Sequence, residues 1–451
     1  MKKKQFISTM VAAFFIFSAS SCQKISETIG DWRDTSKELC SPATATRLSY
    51  QESKQEPYLA FLQKTNTFGA RFAAEAYLDH NATQKKNENF AVSPISVFMA
   101  LGMAAECANH NTRAEILDAL GVSLAELQTY YPLLYRSLNV EHTDQGYIKE
   151  VTTGQLNLSN SIWLDNDLLA KDSCLDTLGN NYYCFARSVD FDGANKKANQ
   201  SISHFIKKQT KGLIDKDYEL SVETLFTLIN TLYLKDLWNR DGNPLQKTDN
   251  PIPFSNTDGT ATAAKLLMGY YETGRAYESE SFTGFYTTTY NGYMLKFLVP
   301  NDGYTVNDIF TEENLETFNA LTDFNAVDNE KSIIYHTRCL FPEYEASFDK
   351  DVKEVLQENF GINDLFHPDH CDFSGLTDVP AYCESVTHSV SLTVDERGIE
   401  GAAVTVMDVC GNAGPGEYTN VYLDFLVDRA FGFILTDYNN TPIFSGVVKK
   451  I

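Results

Sequence analysis

The stretch Thr393–Val409, with the sequence TVDERGIEGAAVTVMDV, decides how the rest of this chain is interpreted. Side chains alternate between the two faces of an extended strand. Within the run 399–409 that follows Gly398, one face carries Glu400, Ala402, Val404, Val406 and Asp408. The other face carries Ile399, Gly401, Ala403, Thr405 and Met407. Because both charges share the first face, the second face can be buried, which is the pattern of a half-buried strand.

Glycine and proline nevertheless make this stretch a poor permanent strand. Gly398 and Gly401 lie among the alternating residues, and Gly411–Gly416 has the sequence GNAGPG. Glycine loses more entropy on ordering than other residues, and proline cannot donate to a strand ladder. We therefore expect a segment that is able to form a strand but is left outside the sheet.

Composition limits the partners of the protein. The chain has 451 residues, 43% of them hydrophobic and 12% aromatic, which is enough for a large core. Its formal net charge is −23. A protein this acidic repels polyanions, so we expect no nucleic-acid partner and no heparin-like partner.

Residues 1–21 have the pattern of a secretory signal. The basic Lys2–Lys4 precedes the apolar Phe6–Phe17, which is too short to span a bilayer. Cleavage after residue 21 would export the protein. Beyond Phe17, no run of the sequence is apolar enough to cross a membrane.

Cys22 is a candidate for lipidation. The preceding Ala19-Ser20-Ser21 is similar to a bacterial lipoprotein cleavage site, although Ala19 stands where leucine is usual. An acylated Cys22 would anchor the protein to a membrane, at the cell surface or in the periplasm. The alternative is an ordinary extracellular protein. Residues 22–56 are polar without clear periodicity, which predicts a lipidated N-terminus followed by a flexible tether.

Cysteines leave two interpretations open. In an exported chain the close pairs Cys174/Cys184 and Cys371/Cys383 could form disulfides, but spacing does not fix connectivity. Mostly buried free thiols are the alternative. The run His367–Cys371 contains two histidines but has no matching second half, so we predict no metal site and no cofactor.

Helical patterns dominate the first half of the chain and apolar strands the last third, without an internal repeat. Helices are predicted at 112–120 and 199–211. Strands are predicted at 156–164, 224–234, 293–299, 382–394, 421–427 and 431–438. This order favours one α+β domain over residues 57–451.

Several motifs in fixed order resemble the serpin family of protease inhibitors. The matching segments are NFAVSPISVFMAL at 89–101, ISHFIKKQTKGLI at 202–214, TLFTLINTLYLKDLW at 224–238, FGINDLF at 360–366, DFSGL at 372–376, VTHSVSLTVDERG at 386–398, FLVDRAFGFIL at 425–435 and the closing FSGVVKKI. The resemblance covers nearly 400 residues. It implies helices packed around a large, mostly antiparallel main sheet, two further sheets and an exposed reactive-centre loop at about 396–420.

The resemblance implies an inhibitor rather than an enzyme. A target protease attacks the loop and forms a covalent acyl-enzyme, and the freed segment then inserts into the main sheet as a new strand. The loop's hinge would comprise Glu396, Gly398, Ile399, Glu400, Gly401, Ala402, Ala403, Val404 and Thr405. Counting from the hinge glutamate puts the reactive bond at Asn412–Ala413, with Met407, Val409 and Cys410 as alternatives.

Two further sites follow from the resemblance. Ser93, Ser96, Asn230 and His388 would form a shutter beneath the sheet, and Trp238 would help to close the breach at its top. A catalytic Ser–His pair is the other interpretation of His388, but no nucleophile elbow or acid accompanies it. Glu343 stands where the family often has a lysine facing Glu396, which predicts the loss of a salt bridge.

The loop sequence also predicts the target. Between Gly398 and Asp428 there is no lysine or arginine, which disfavours trypsin-like proteases. Small residues such as Val409 and Ala413 suit elastase-like or subtilisin-like serine proteases, and Val409 also suits papain-like cysteine proteases. We expect a monomer with a free Cys410 thiol. The alternative function is a non-inhibitory, serpin-shaped binding protein that never inserts its loop.

Overall fold

Residues 387–400 form a hairpin in the middle of the largest sheet. Thr387–Val394 is one strand, the chain turns over the next three residues, and Gly398–Glu400 returns antiparallel to it. The structure, a computed structural model, describes residues 34–82, 87–145, 150–239, 241–400 and 418–451.

The α-helices of the described residues are mostly long and concentrated in the first half of the chain. In order they are α1 (Tyr50–Ser53), α2 (Glu56–Ala82), α3 (Pro94–Cys107), α4 (His110–Leu120), α5 (Leu124–Ser137), α6 (Asp172–Asn181), α7 (Asn195–Gln209), α8 (Val306–Ile309), α9 (Glu312–Ala320) and α10 (Lys353–Phe360). A 3₁₀ turn follows at Asp364–Phe366.

Strands fill most of the remaining described chain. They are β1 (Lys37–Cys40), β2 (Phe90–Val92), β3 (Val140–Gln145), β4 (Glu150–Asp165), β5 (Cys184–Val189), β6 (Phe226–Leu237), β7 (Ile252–Ser255), β8 (Ala261–Ala264), β9 (Leu267–Thr273), β10 (Tyr277–Glu278), β11 (Phe282–Thr288), β12 (Met294–Pro300), β13 (Val327–Asp328), β14 (Ile333–Phe341), β15 (Tyr344–Asp351), β16 (Thr387–Val394), β17 (Gly398–Glu400), β18 (Thr419–Leu426), β19 (Phe431–Thr436) and β20 (Pro442–Val448).

The strands of the described residues form three sheets. The largest has the order β1-β5-β4-β6-β17-β16-β15-β2-β20-β19-β12-β11-β10, with β3 beside β4. Strands β9, β13, β14 and β18 form a second sheet, and β7 pairs with β8. Pairing is antiparallel except for β4–β5, β2–β15 and β14–β18. The predicted architecture, a large and mostly antiparallel sheet with two further sheets and surrounding helices, is confirmed.

The centre of the largest sheet is covered on both faces. Helix α3 is apolar almost all round and begins with Pro94 in its first turn, as expected for a buried helix that starts sharply. It packs against β6 and β20. On the opposite face α7 places Ile202, Phe205 and Ile206 against Trp163 of β4. Any change in the spacing of the central strands must therefore occur between these two helices.

The prediction of a flexible tether up to residue 56 is wrong for its described part. Strand β1 pairs antiparallel with β5. Ser49 and Glu52 form a capping box at the start of α1, and Arg136 of α5 binds Glu52 at 2.9 Å. The partners of these short polar segments lie about 90 to 150 positions away, so local sequence does not reveal them.

Among the described residues, no helix combines the length and the apolar composition that a bilayer crossing requires.

Candidate functional site: the cleft below the short strand

Strand β17 holds the start of the predicted hinge inside the sheet. Ile399 pairs with Asp236 of β6 on one side and Val394 of β16 on the other, and only 1% of its surface is exposed. Glu400 points to the opposite face, where its carboxylate accepts a hydrogen bond from the Tyr233 hydroxyl at 3.0 Å. For these two residues the predicted alternation of buried and polar side chains matches the structure.

Gly398 is required where the chain enters the sheet. A Cβ atom at this position would lie 2.0 Å from the Asp236 carbonyl oxygen, so no side chain fits. The Asp395 carboxylate caps the preceding turn, since it accepts from the backbone N–H groups of Arg397 and Gly398 at 2.8 and 3.1 Å. Gly398 is therefore the first residue of strand β17.

Below β17 a cleft of about 1420 Å³ separates β6 from β16. One wall is residues 224–232, the other is residues 380–391, and α3 and α7 contribute residues above and below. In the described chain no backbone pairing joins β6 directly to β16. Because β17 occupies the width of one strand for only three residues, the rest of the gap has room for the same strand to continue.

The floor of the cleft contains three of the predicted shutter residues. The backbone N–H of Ser93 donates to His388 Nε2 at 3.0 Å, while the hydroxyls of Ser93 and Ser96 bond each other at 3.0 Å. Burial lowers the pKa of His388 to about 4, with Asp349 acting weakly in the opposite direction. His388 is thus a neutral acceptor that receives a backbone hydrogen bond, and the geometry gives no Ser–His proton relay.

Asn230, the fourth predicted shutter residue, lies across the cleft from His388. Its amide donates to Asn160 Oδ1 at 2.8 Å, and its own Oδ1 is buried without a hydrogen-bond partner in the described structure. Asn160 in turn donates to the Tyr131 hydroxyl and the Tyr182 carbonyl. The sequence interpretation missed Asn160. Its only signal in the sequence is a polar amide side chain inside the predicted apolar strand 156–164.

At the top of the sheet, Lys247 corrects the prediction made for Glu343. Its ammonium lies 2.8 Å from Glu343 and 2.9 Å from Glu396, so one lysine bridges both carboxylates. Glu343 also accepts from the Glu396 backbone N–H at 3.1 Å. The hydrogen bond from Lys247 lowers the pKa of Glu396. The salt bridge that the sequence suggested was lost is restored by a residue 96 positions from Glu343.

Trp238, the residue predicted for the breach, is buried at the top of the sheet. It is 1% exposed, its indole N–H donates to the Asp395 carbonyl at 2.6 Å, and its backbone N–H donates to the Arg397 carbonyl at 3.1 Å. Its ring meets Phe341 edge-on. Trp238 therefore anchors the turn that leads into β17.

A buried carboxyl lies beside the hinge, and sequence reasoning missed it. Asp236 on β6 is 1% exposed and is opposite Ile399. Burial raises its pKa to about 7, although hydrogen bonds from Thr289 and Asn291 oppose the shift. Asn291 Nδ2 lies 2.5 Å from its Oδ1. A carboxyl whose pKa is raised to about 7 thus lies beside Ile399 in the short strand β17.

Other predicted residues fall outside the described residues. These are Cys22 with its signal sequence, the hinge positions Gly401, Ala402, Ala403, Val404 and Thr405, and the reactive-bond candidates Met407, Val409, Cys410, Asn412 and Ala413.

The seven described cysteines are free thiols. In the loop that suggested a metal site, the rings of His367 and His370 stack with centroids 4.0 Å apart, and His370 lies 3.6 Å from Asp364. Among the described residues, the group that brings three potential ligand atoms within 4.8 Å of one another is instead Asp165, Asp190 and Asp192. It lies outside the cleft and contributes nothing to the hinge.

Comparison with known proteins agrees with this geometry. Residues 66–451 match the family model described as serpin (serine protease inhibitor). The chain is 25% identical over 405 residues to alpha-1-antiproteinase of Rattus norvegicus, covering 88% of this chain and 92% of the rat protein. The native structure of tengpin, a thermophilic serpin, superposes with a TM-score of 0.66 at 24% identity, over 92% of this chain and 100% of tengpin. Human thyroxine-binding globulin complexed with thyroxine gives 0.66 at 22% identity, over 86% and 99%.

The family match covers most of the chain and the fold agrees with it. The protein belongs to the serpin family.

Proposed function

We propose that this serpin is a suicide inhibitor of proteases that traps its target by inserting the cleaved loop into the main sheet. The observation that carries the proposal is the cleft between β6 and β16. Strand β17 already fills the first three positions of the missing strand, and the gap continues below it in the direction in which the loop would extend. Backbone hydrogen bonds along both walls would then stabilise the inserted form.

The register of β17 makes the proposal specific. Glu400 pairs with Lys235 and Thr393, so continuing the same register places Thr405 opposite both Asn230 and His388. Thr405 shares its face with the buried Ile399. In the inserted form its hydroxyl can meet the Asn230 Oδ1, which has no partner in the described structure. The shutter is thus completed by the loop itself.

The same alternation keeps charge out of the core. Ile399, Gly401, Ala403, Thr405 and Met407 would face inward, whereas Glu400 and Asp408 would face the other side. Gly401 in an ordered strand costs about 1 kcal/mol relative to alanine. That penalty slows insertion without preventing it.

For the target we propose an elastase-like or subtilisin-like serine protease, with papain-like cysteine proteases as a second class. The loop supplies small apolar residues and no cation for a trypsin-like pocket. The proposed cleavage is at Asn412–Ala413, with Val409 and Cys410 as the nearest alternatives. The lipid anchor at Cys22, export and a monomeric state remain parts of this proposal.

The test is a covalent complex with a pancreatic-type elastase. We expect a complex that survives SDS, and mass spectrometry of the released C-terminal peptide identifies the bond. Thr405→Arg should convert the inhibitor into a substrate, because a guanidinium would be buried next to Asn230 and His388. Thr405→Ser keeps the hydroxyl and should retain the complex. Nicked serpin with fully active protease in the unmodified protein would overturn the proposal.

A further inference from the structure

Two cysteines that are far apart in sequence meet beneath the main sheet. Cys107 is the last residue of α3, and Cys174 lies in the first turn of α6. Their sulfur atoms are 3.9 Å apart, and the exposed fractions are 0% and 6%. The two residues are 67 positions apart, and no spacing rule connects them. The sequence had suggested Cys184 as the partner of Cys174.

We propose that Cys107 and Cys174 are the site of an intramolecular disulfide that links α3 to α6. The sulfurs are in contact, and a bond of about 2.05 Å requires them to approach by about 2 Å. Both side chains are held on helices that pack against each other. Formation of the bond therefore needs a small movement of the two side chains and of the first turn of α6, and no rearrangement of the fold.

The reaction is a thiol–disulfide exchange with a low-molecular-weight or protein disulfide as the oxidant. The Cys174 thiolate attacks one sulfur of the donor and releases a thiolate. The Cys107 thiolate then attacks the Cys174 sulfur of the mixed disulfide and releases the second thiolate. Two protein thiols lose two electrons and two protons, and the donor becomes two thiols.

The surroundings favour Cys174 as the first nucleophile. The contact with the Cys107 thiol lowers the pKa of Cys174, and Arg113 and Lys171 act in the same direction. The same contact and burial raise the pKa of Cys107. Cys174 is also the more exposed of the two sulfurs, so an oxidant reaches it first.

The bond would link two helices that pack on the sheet around the cleft, and would so restrict any widening of the cleft as the loop enters it. Opening the cleft moves β6 away from β16, and β6 is paired through β4 to β5. Helix α6 lies between β4 and β5 in the chain. Helix α3 packs against both β6 and β20, and at its start the Ser93 backbone N–H bonds His388 of β16 on the other side of the cleft. A bond between α3 and α6 therefore opposes this movement. This consequence rests on the proposed loop insertion, but the disulfide itself does not.

The disulfide is tested by peptide mapping of the full-length protein. The Cys410→Ser variant is incubated with oxidised glutathione, denatured, alkylated and digested without reductant. We expect a peptide pair joined through Cys107 and Cys174 that dithiothreitol separates, and its loss in Cys174→Ser. Recovery of both cysteines as alkylated peptides, or a link from Cys174 to Cys184, would overturn the assignment.

The effect of the disulfide on loop insertion, here called the coupling, is measured separately as the rate of loop insertion on mild heating. The oxidised protein should insert its loop several-fold more slowly than the reduced protein, and Cys107→Ser should be insensitive to oxidation. Equal rates in a protein shown to carry the bond would refute the coupling. A protein that forms the bond but never inserts its loop in either state would contradict the proposed function and leave the disulfide standing.

Discussion

Charged residues at the top of the main sheet contact the first residues of the predicted hinge. Lys247 lies between Glu343 and Glu396, and Asp236 lies against Ile399. In both places the partner comes from a distant part of the chain. The sequence interpretation predicted that Glu396 has no salt bridge, because Glu343 stands where a lysine is usual. It was wrong because a different lysine, Lys247, 96 positions from Glu343, contacts both carboxylates.

Removing the bridging ammonium tests its role. Lys247→Met leaves two carboxylates facing each other, so we expect a small decrease in Tm and faster spontaneous loop insertion, with the difference shrinking at high salt. Native gels after mild heating measure the insertion. Lys331→Met is the matched control, since Lys331 forms a local ion pair with Asp328 next to β13 and β14, which belong to a different sheet from the hinge strand β17. Equal effects of the two substitutions would refute a specific role for Lys247.

Asp236 predicts a pH dependence. Its pKa rises from 3.8 in the unfolded chain to about 7 in the fold, so the folded protein holds this proton more tightly. The stabilisation is complete below pH 4 and is lost as the pH rises to about 7, on the order of 4 kcal/mol. Asp236→Asn should therefore gain stability relative to the unmodified protein across this window. Urea unfolding at several pH values measures the gain, and a constant difference would refute it.

Among the secondary-structure elements, several strands lie close to the positions that the sequence pattern predicted. The expected strands at 156–164, 224–234 and 431–438 correspond to β4, β6 and β19 with shifts of a few residues. Apolar alternation and turn residues are local properties of the sequence, so they predict strands without knowledge of the tertiary structure. β17 was not predicted as a strand. Its three residues are paired only because two neighbouring strands stand apart to receive them.

The junction between α3 and β16 can be tested directly. His388→Ala removes the acceptor for the buried Ser93 N–H, which should destabilise the protein by about 1–3 kcal/mol. Weakened contact between helix and sheet should raise spontaneous loop insertion and polymerisation on mild heating. The exposed His367→Ala is the control and should behave as the unmodified protein. Unchanged polymerisation of His388→Ala would contradict the shutter role.

For the whole molecule, the proposed loop insertion implies that the described state is metastable. A sheet with a strand-wide gap gains hydrogen bonds and buried apolar surface when the gap is filled. We expect proteolytic nicking within residues 401–417 to raise Tm by tens of degrees, measured by calorimetry before and after cleavage. A nicked protein with an unchanged Tm would indicate a static binding protein. The bridging Lys247 is the internal control, since it should affect the intact form more than the nicked form.

By itself the sequence determined the fold class, the order of most strands and the uncharged face of the segment 399–409. These follow from periodicity, composition and ordered motifs, which are local. Only the tertiary structure decided that Lys247 joins two carboxylates, that Asp236 lies under the hinge, that Asn160 supports Asn230, and that Cys107 meets Cys174. Each of these depends on residues brought together by folding from positions 67 to 163 residues apart, and no local pattern encodes such a meeting.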